Sequence, residues 1–208
     1  MKVALRRLRR FARTGAATEL DLPGTIGATA RNGGSLDLHM VPERHNAVKI
    51  LLLMDIGGSM DDHIRICQEL FTAARSEFKH LEFWYFHNCL YERVWRTNRR
   101  RRETERPTFE MLRTYGPDWR VVIVGDATMS PYEIIQPGGS VEHWNEEAGQ
   151  VWMSRLTRHF RKAAWLNPVQ QDHWRYTQSI GIMQRLMENR MYPLTLAGLE
   201  TMARELAR

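Results

Sequence analysis

A chain of 208 residues, 43% hydrophobic and 26% charged, can build one full globular core, which excludes global disorder. No apolar run approaches the roughly 18 residues of a transmembrane helix, and the basic start Met1-Lys-Val-Ala-Leu-Arg-Arg lacks the apolar segment of a secretory signal. The net charge of +6 is concentrated in Arg6, Arg7, Arg9, Arg10 and Arg13 and in the run Arg99 to Arg102, so no continuous basic face is expected.

Taken in chain order, residues 1–14 space leucines and arginines as a short basic helix or arm, and 15–47 read as short helix and loop. These form a lead-in, 1–46, to a domain spanning 47–208. Val48-Lys-Ile-Leu-Leu-Leu-Met54 is a short apolar run with turn signals after it, the pattern of a buried central strand. Asp55 to Ser59 is a loop, and 60–78 an amphipathic helix carrying Ile64, Leu70, Phe71 and Ala74. Leu81 to Phe86 and Leu90 to Trp95 are strands joined by a hairpin turn at His87-Asn88-Cys89. Residues 96–107 are an arginine-rich loop, Thr108 to Thr114 a short helix, and Arg120 to Val124 a second buried strand ending at Gly125-Asp126. A loop over 127–140, a helix over 141–160, a strand at 163–166, a helix over 176–190, a strand at 191–194 and a helix over 195–207 complete the chain. This alternation predicts an α/β fold with a mainly parallel sheet, one antiparallel hairpin strand and helices on both faces. Ligands in such folds sit beyond the carboxyl ends of the strands, where the strand order reverses.

The loops after the two most apolar strands carry the chemistry. Asp55 ends one strand, with Ser59 four residues on; Asp126 ends another; Thr108 opens a short helix. Two carboxylates and two hydroxyls form an oxygen-only donor set, suited to a hard divalent cation that keeps some of its waters. Mg²⁺ is the first choice and Mn²⁺ the second, whereas Zn²⁺ would want His or Cys. The eight scattered histidines have no such companions. Cys67 and Cys89 are too few for a disulfide scaffold, so a reducing, cytoplasmic setting is expected.

The set Asp55-x-Gly57-x-Ser59, Thr108 and Val-Ile-Val-Gly-Asp126 resembles the metal-ion-dependent adhesion site of von Willebrand factor A (VWA) domains, over about residues 47–207. That family reads Asp-x-Ser-x-Ser in its first loop, with a threonine in the second and an aspartate in the third. Leu-Leu-Met-Asp-Ile-Gly-Gly-Ser-Met, Val-Gly-Asp-Ala-Thr-Met-Ser-Pro-Tyr-Glu and Met191-Tyr-Pro-Leu-Thr are similar to its bacterial CoxE-like branch. The resemblance implies a Rossmann-like VWA fold and a non-enzymatic module. Its Mg²⁺, held at Asp55, Gly57, Ser59, Thr108 and Asp126, takes an Asp or Glu carboxylate from a protein partner. That branch points to a MoxR-type AAA+ ATPase, or its substrate, as the partner. Related proteins often carry more sequence ahead of this domain, so the chain is open to being part of a longer protein. Gly57 departs from the family's serine and removes one hydroxyl, which water could replace; Thr104 is the alternative to Thr108.

Plainer roles stand beside these. Ser59-Met-Asp-Asp62 fits a helix capping box, compatible with a metal role for Ser59. Thr108 after Pro107 fits an N-cap. Thr128, Ser130 and Glu133 would shape the site's rim or its turn. Two other functions compete. A Mg²⁺-dependent phosphohydrolase of the haloacid dehalogenase type also starts from an aspartate after an apolar strand, but needs a second aspartate where Gly57 stands. A nucleic-acid binder would use the arginine clusters, but no recognised motif accompanies them.

Overall fold

In a strand, alternate side chains face opposite sides, and here both sides are apolar. Leu51, Leu53, Val121, Ile123, Ala163 and Trp165 enter one core, while Ile50, Leu52, Val122, Val124, Ala164 and Leu166 enter the other. The strands concerned are β3 (Lys49–Asp55), β7 (Arg120–Val124) and β8 (Ala163–Asn167). The computed structural model describes residues 1–9, 11–99 and 102–208. Arg10, Arg100 and Arg101, and so part of both arginine clusters, lie outside them, as does the side chain of Arg13.

The chain divides into two units. The larger comprises Met1–Leu8 and Val48–Arg208 and the smaller Arg9–Ala47. In the smaller, β1 (Phe11–Leu20) pairs antiparallel with β2 (Met40–Asn46), with register shifts along the ladder, and α2 (Leu22–Arg31) runs between them. The expected lead-in of helix and loop therefore contains two strands as well. Their Gly- and charge-interrupted sequences show no alternation to read. The expected 1–46 grouping also divides, because α1 (Lys2–Arg6) belongs to the larger unit. Ala4, Leu5 and Leu8 are buried with residues of α3 (Ile64–Glu77) and α8 (Leu196–Ala207). Arg6 pairs with Glu77 at 3.3 Å and Arg7, just after the helix, with Glu200 at 3.7 Å, so both are tied to the same two helices.

The larger unit holds a seven-stranded sheet that adds β4 (His80–Phe86), β5 (Arg93–Trp95), β6 (Glu105–Pro107) and β9 (Met191–Pro193), in the order β6-β5-β4-β3-β7-β8-β9. The five strands from β4 to β9 in that order are parallel, and β5 and β6 are antiparallel additions at one edge. Two edge strands thus stand where one was expected, since Glu105-Arg-Pro107 is short, polar and readable only as loop. One face is covered by α1, α3 and α8. The other is covered by residues of α4 (Thr108–Thr114), α6 (Gly149–His159) and α7 (Gln178–Leu186). A short helix, α5 (Pro131–Ile135), interrupts the expected 127–140 loop, and α6 begins at Gly149 rather than 141.

The turn into α8 is tight. The Thr195 side chain accepts from Gly198 N–H at 3.1 Å, and a Cβ at Gly198 would collide with the carbonyl oxygen of Pro193. Gly198→Ala is therefore expected to lower stability by about 1–3 kcal/mol, read as a lower urea midpoint at unchanged slope; an unchanged midpoint would contradict this packing.

Candidate metal centre

From β3 the chain goes first to β4 on one side and later to β7 on the other, so the order reverses between β3 and β7. Their register pairs Met54 with Val124, which places Asp55 beside Gly125 at the carboxyl edge of the sheet. A Cβ at Gly125 would lie 3.0 Å from Asp55 Cβ and 3.2 Å from its Oδ2. The third-loop aspartate follows immediately. The structure thus brings Asp55 and Asp126 to one edge.

Asp55 is 5% exposed. Its Oδ1 accepts the N–H groups of Gly57 at 2.8 Å and Asn88 at 2.9 Å, whereas its buried Oδ2 has no hydrogen-bond partner among the described residues. Burial pushes its carboxyl up from 3.8 to about 7. The Gly57 and Asn88 N–H groups oppose this, and the charges of Asp126 and Glu133 reinforce it. A buried carboxylate with one orphan oxygen, facing like charges, is the environment that a cation would relieve.

Asp126, 3% exposed, is oriented by Thr128, whose N–H donates to Oδ1 at 3.1 Å and whose hydroxyl donates to Oδ2 at 2.7 Å. Thr108, fully buried at the start of α4, donates its hydroxyl to the carbonyl of Tyr91 at 2.5 Å, which leaves the lone pairs of Oγ1 as acceptors. Thr104 instead meets Thr97 Oγ1 at 3.2 Å.

Ser59 is exposed and is not a helix cap. The first turn, Gly58–His63, is a 3₁₀ helix with Gly57 at its N-cap, so the expected Ser59–Asp62 capping box does not form. The tighter turn starts two residues earlier than the helical period implies. A box-like arrangement occurs instead at α5, where Glu133 Oε1 accepts Ser130 N–H at 3.2 Å.

Two contributors were not legible as site residues. Glu133, read only as rim, is buried and accepts Asn88 Nδ2 on its Oε2 at 2.9 Å. Asn88, read only as a turn residue, has φ +56°, a left-handed conformation that asparagine tolerates. That tolerance was the only local signal. Asn88 thereby ties Asp55 to Glu133.

Among the described residues, no three His, Cys, Asp or Glu side chains group as a metal cage. Any cation here would rest on the two aspartates plus neutral oxygens and water, a regime that suits Mg²⁺. Beside Asp55, a cavity of about 530 Å³ opens between α3 and β4, bordered by Met60, Ile64, Phe71, Tyr85 and Asn98.

Residues 1–98 match the family model described as VWA domain containing CoxE-like protein. The matched span includes Asp55 to Ser59 and Asn88 and ends before Thr108 and Asp126. No curated protein and no solved structure matches the chain.

Proposed function

Since residues 1–98 match the model of the VWA domain CoxE-like proteins, we propose that the chain is a protein-interaction module of that kind working through a Mg²⁺ site. VWA domains are typically interaction modules rather than enzymes. Asp55, Ser59, Thr108 and Asp126 would hold the ion. When bound, the ion would neutralise the facing carboxylates and offer a partner's Asp or Glu an open coordination position. The partner proposed is a MoxR-type AAA+ ATPase or its substrate, and the cation Mg²⁺, with Mn²⁺ as substitute. No described helix is long and apolar enough to cross a membrane, and a cytoplasmic setting is part of the same proposal.

The single observation that carries this reading is the orphaned, buried Oδ2 of Asp55 at the strand-order reversal, next to Asp126. Each of the chain's own residues has a stated part. Gly57 and Asn88 N–H groups fix one oxygen of Asp55 and leave the other to face inward. Thr128 fixes Asp126, and Tyr91 fixes the Thr108 hydroxyl. A preset cradle of this kind needs little reordering on binding. Position 57, where a phosphohydrolase of the competing type would need its second carboxylate, holds only a glycine N–H, which donates to Asp55.

Calorimetric titration with MgCl₂ tests the proposal. Wild-type protein is expected to bind, and Asp126→Ala to lose at least tenfold in affinity. Equal absence of heat from both, together with melting curves that Mg²⁺ does not move, would remove the metal role.

A further inference from the structure

We propose that the side-chain amide oxygen of Asn88 is a cation donor, taking the place of the hydroxyl that the VWA pattern carries at position 57. The inference rests on the Mg²⁺ reading above and concerns how this chain completes the site.

Three observations lead to it. First, the Asn88 amide has a defined orientation. Its Nδ2 donates to Glu133 Oε2 at 2.9 Å, and an ionised carboxylate only accepts, so the nitrogen must face Glu133 and Oδ1 must face away from it. Second, Oδ1 fills the space of the missing side chain. A Cβ built on Gly57 would overlap Asn88 Oδ1, with Asn88 Cγ at 3.5 Å and Asp55 Oδ1 at 3.3 Å. The first atom of a serine at 57 would therefore meet an oxygen already in place. Third, no described residue donates a hydrogen bond to Asn88 Oδ1, while the residue's other polar groups, N–H and Nδ2, are both engaged at the site.

The chemistry agrees with the substitution. An amide oxygen is a hard, neutral donor of the kind that magnesium and calcium sites use beside carboxylates. Exchanging a hydroxyl for it leaves the charge of the site unchanged. Gly57 is then not a lost ligand but the clearance that lets a residue of the neighbouring turn reach in. The left-handed backbone of Asn88 also directs its own N–H to Asp55 Oδ1. One residue would thus orient a carboxylate and supply an oxygen.

The test is a cycle of variants of the 208-residue chain titrated with MgCl₂ and, separately, MnCl₂, with thermal melting in EDTA to verify folding. Asn88→Gly keeps the positive φ without strain and is expected to bind Mg²⁺ about 10- to 100-fold more weakly. Gly57→Ser alone is expected to weaken binding as well, because the new side chain and Asn88 compete for one volume. The double variant Gly57→Ser/Asn88→Gly is expected to recover most of the lost affinity, a coupling that only shared occupancy of one donor position produces. Wild-type affinity in Asn88→Gly would overturn the donor role and leave the Mg²⁺ reading intact. A loss that the double variant does not repair would also overturn it, by assigning Asn88 to positioning Asp55 and Glu133. Absence of binding in the wild type would instead refute the Mg²⁺ reading, and this inference with it.

Discussion

Trp165→Ala is expected to remove about 3–5 kcal/mol of stability, a large fraction of the roughly 5–15 kcal/mol that holds a typical domain together. Trp165 is among the largest fully buried side chains. It packs edge-on against Phe86, with ring centres 6.0 Å apart, and its indole N–H donates to the Gly125 carbonyl at 2.7 Å. Truncation would leave a cavity and an unsatisfied carbonyl in the same place. Equilibrium unfolding in guanidinium would show it as a fall in midpoint at constant slope; a loss under 1 kcal/mol would mean that the core collapses around the gap. The carbonyl concerned belongs to the residue between β7 and Asp126, and a Cβ on Gly125 would sit 3.0 Å from the indole. The same variant should therefore weaken Mg²⁺ binding even at temperatures where it is fully folded.

Asp55→Asn is expected to act in opposite directions on stability and on binding. In the cation-free protein it should stabilise by about 1–3 kcal/mol, the scale of a buried polar group left unpaired. Its amide oxygen can still accept from Gly57 and Asn88, and a neutral group replaces the charge that faces Asp126 and Glu133. In saturating Mg²⁺ the order should reverse. Wild type would gain about 2.7 kcal/mol when the ion is at 100 times its dissociation constant, and the variant should gain almost nothing. Melting temperatures of both proteins with EDTA and with Mg²⁺ read the four values directly. A variant less stable than wild type in EDTA would show that the Asp55 charge is already compensated within the protein. Such a trade between stability and a binding site follows from burying charge where a ligand is to come.

The larger unit's central sheet was readable because its strands are buried on both faces. Ile50 to Met54, Val121 to Val124 and Ala163 to Leu166 are apolar at successive positions, and few other local structures need that. The elements that escaped have no such requirement. Glu105–Pro107 is an edge strand held by main-chain pairing to β5 alone, so its side chains are free to be polar. In α5, the five residues Pro131–Ile135 are too few to display a helical period. The expected start of α6 at 141 fails because Asn145, fully buried, holds the preceding loop. Its Oδ1 accepts Ser140 N–H and its Nδ2 donates to the Glu147 carbonyl, and such polar anchoring leaves no periodic trace.

The candidate site divides along the same line. The amino-acid sequence by itself determined that Asp55 and Asp126 would each follow a buried strand, because a sheet covered on both faces demands an apolar run and each run gives out just before its aspartate. It could not determine that those strands are neighbours. That depends on β4 pairing on one side of β3 and β7 on the other, a choice made by long-range packing. Nor could it determine that Gly57 would be filled from another turn. Asn88 lies 31 positions further along the chain, and only the parallel pairing of β3 with β4, which sets Asp55 opposite Phe86, carries its amide to that point. Local pattern fixes which residues reach the sheet edge; strand order decides which of them meet.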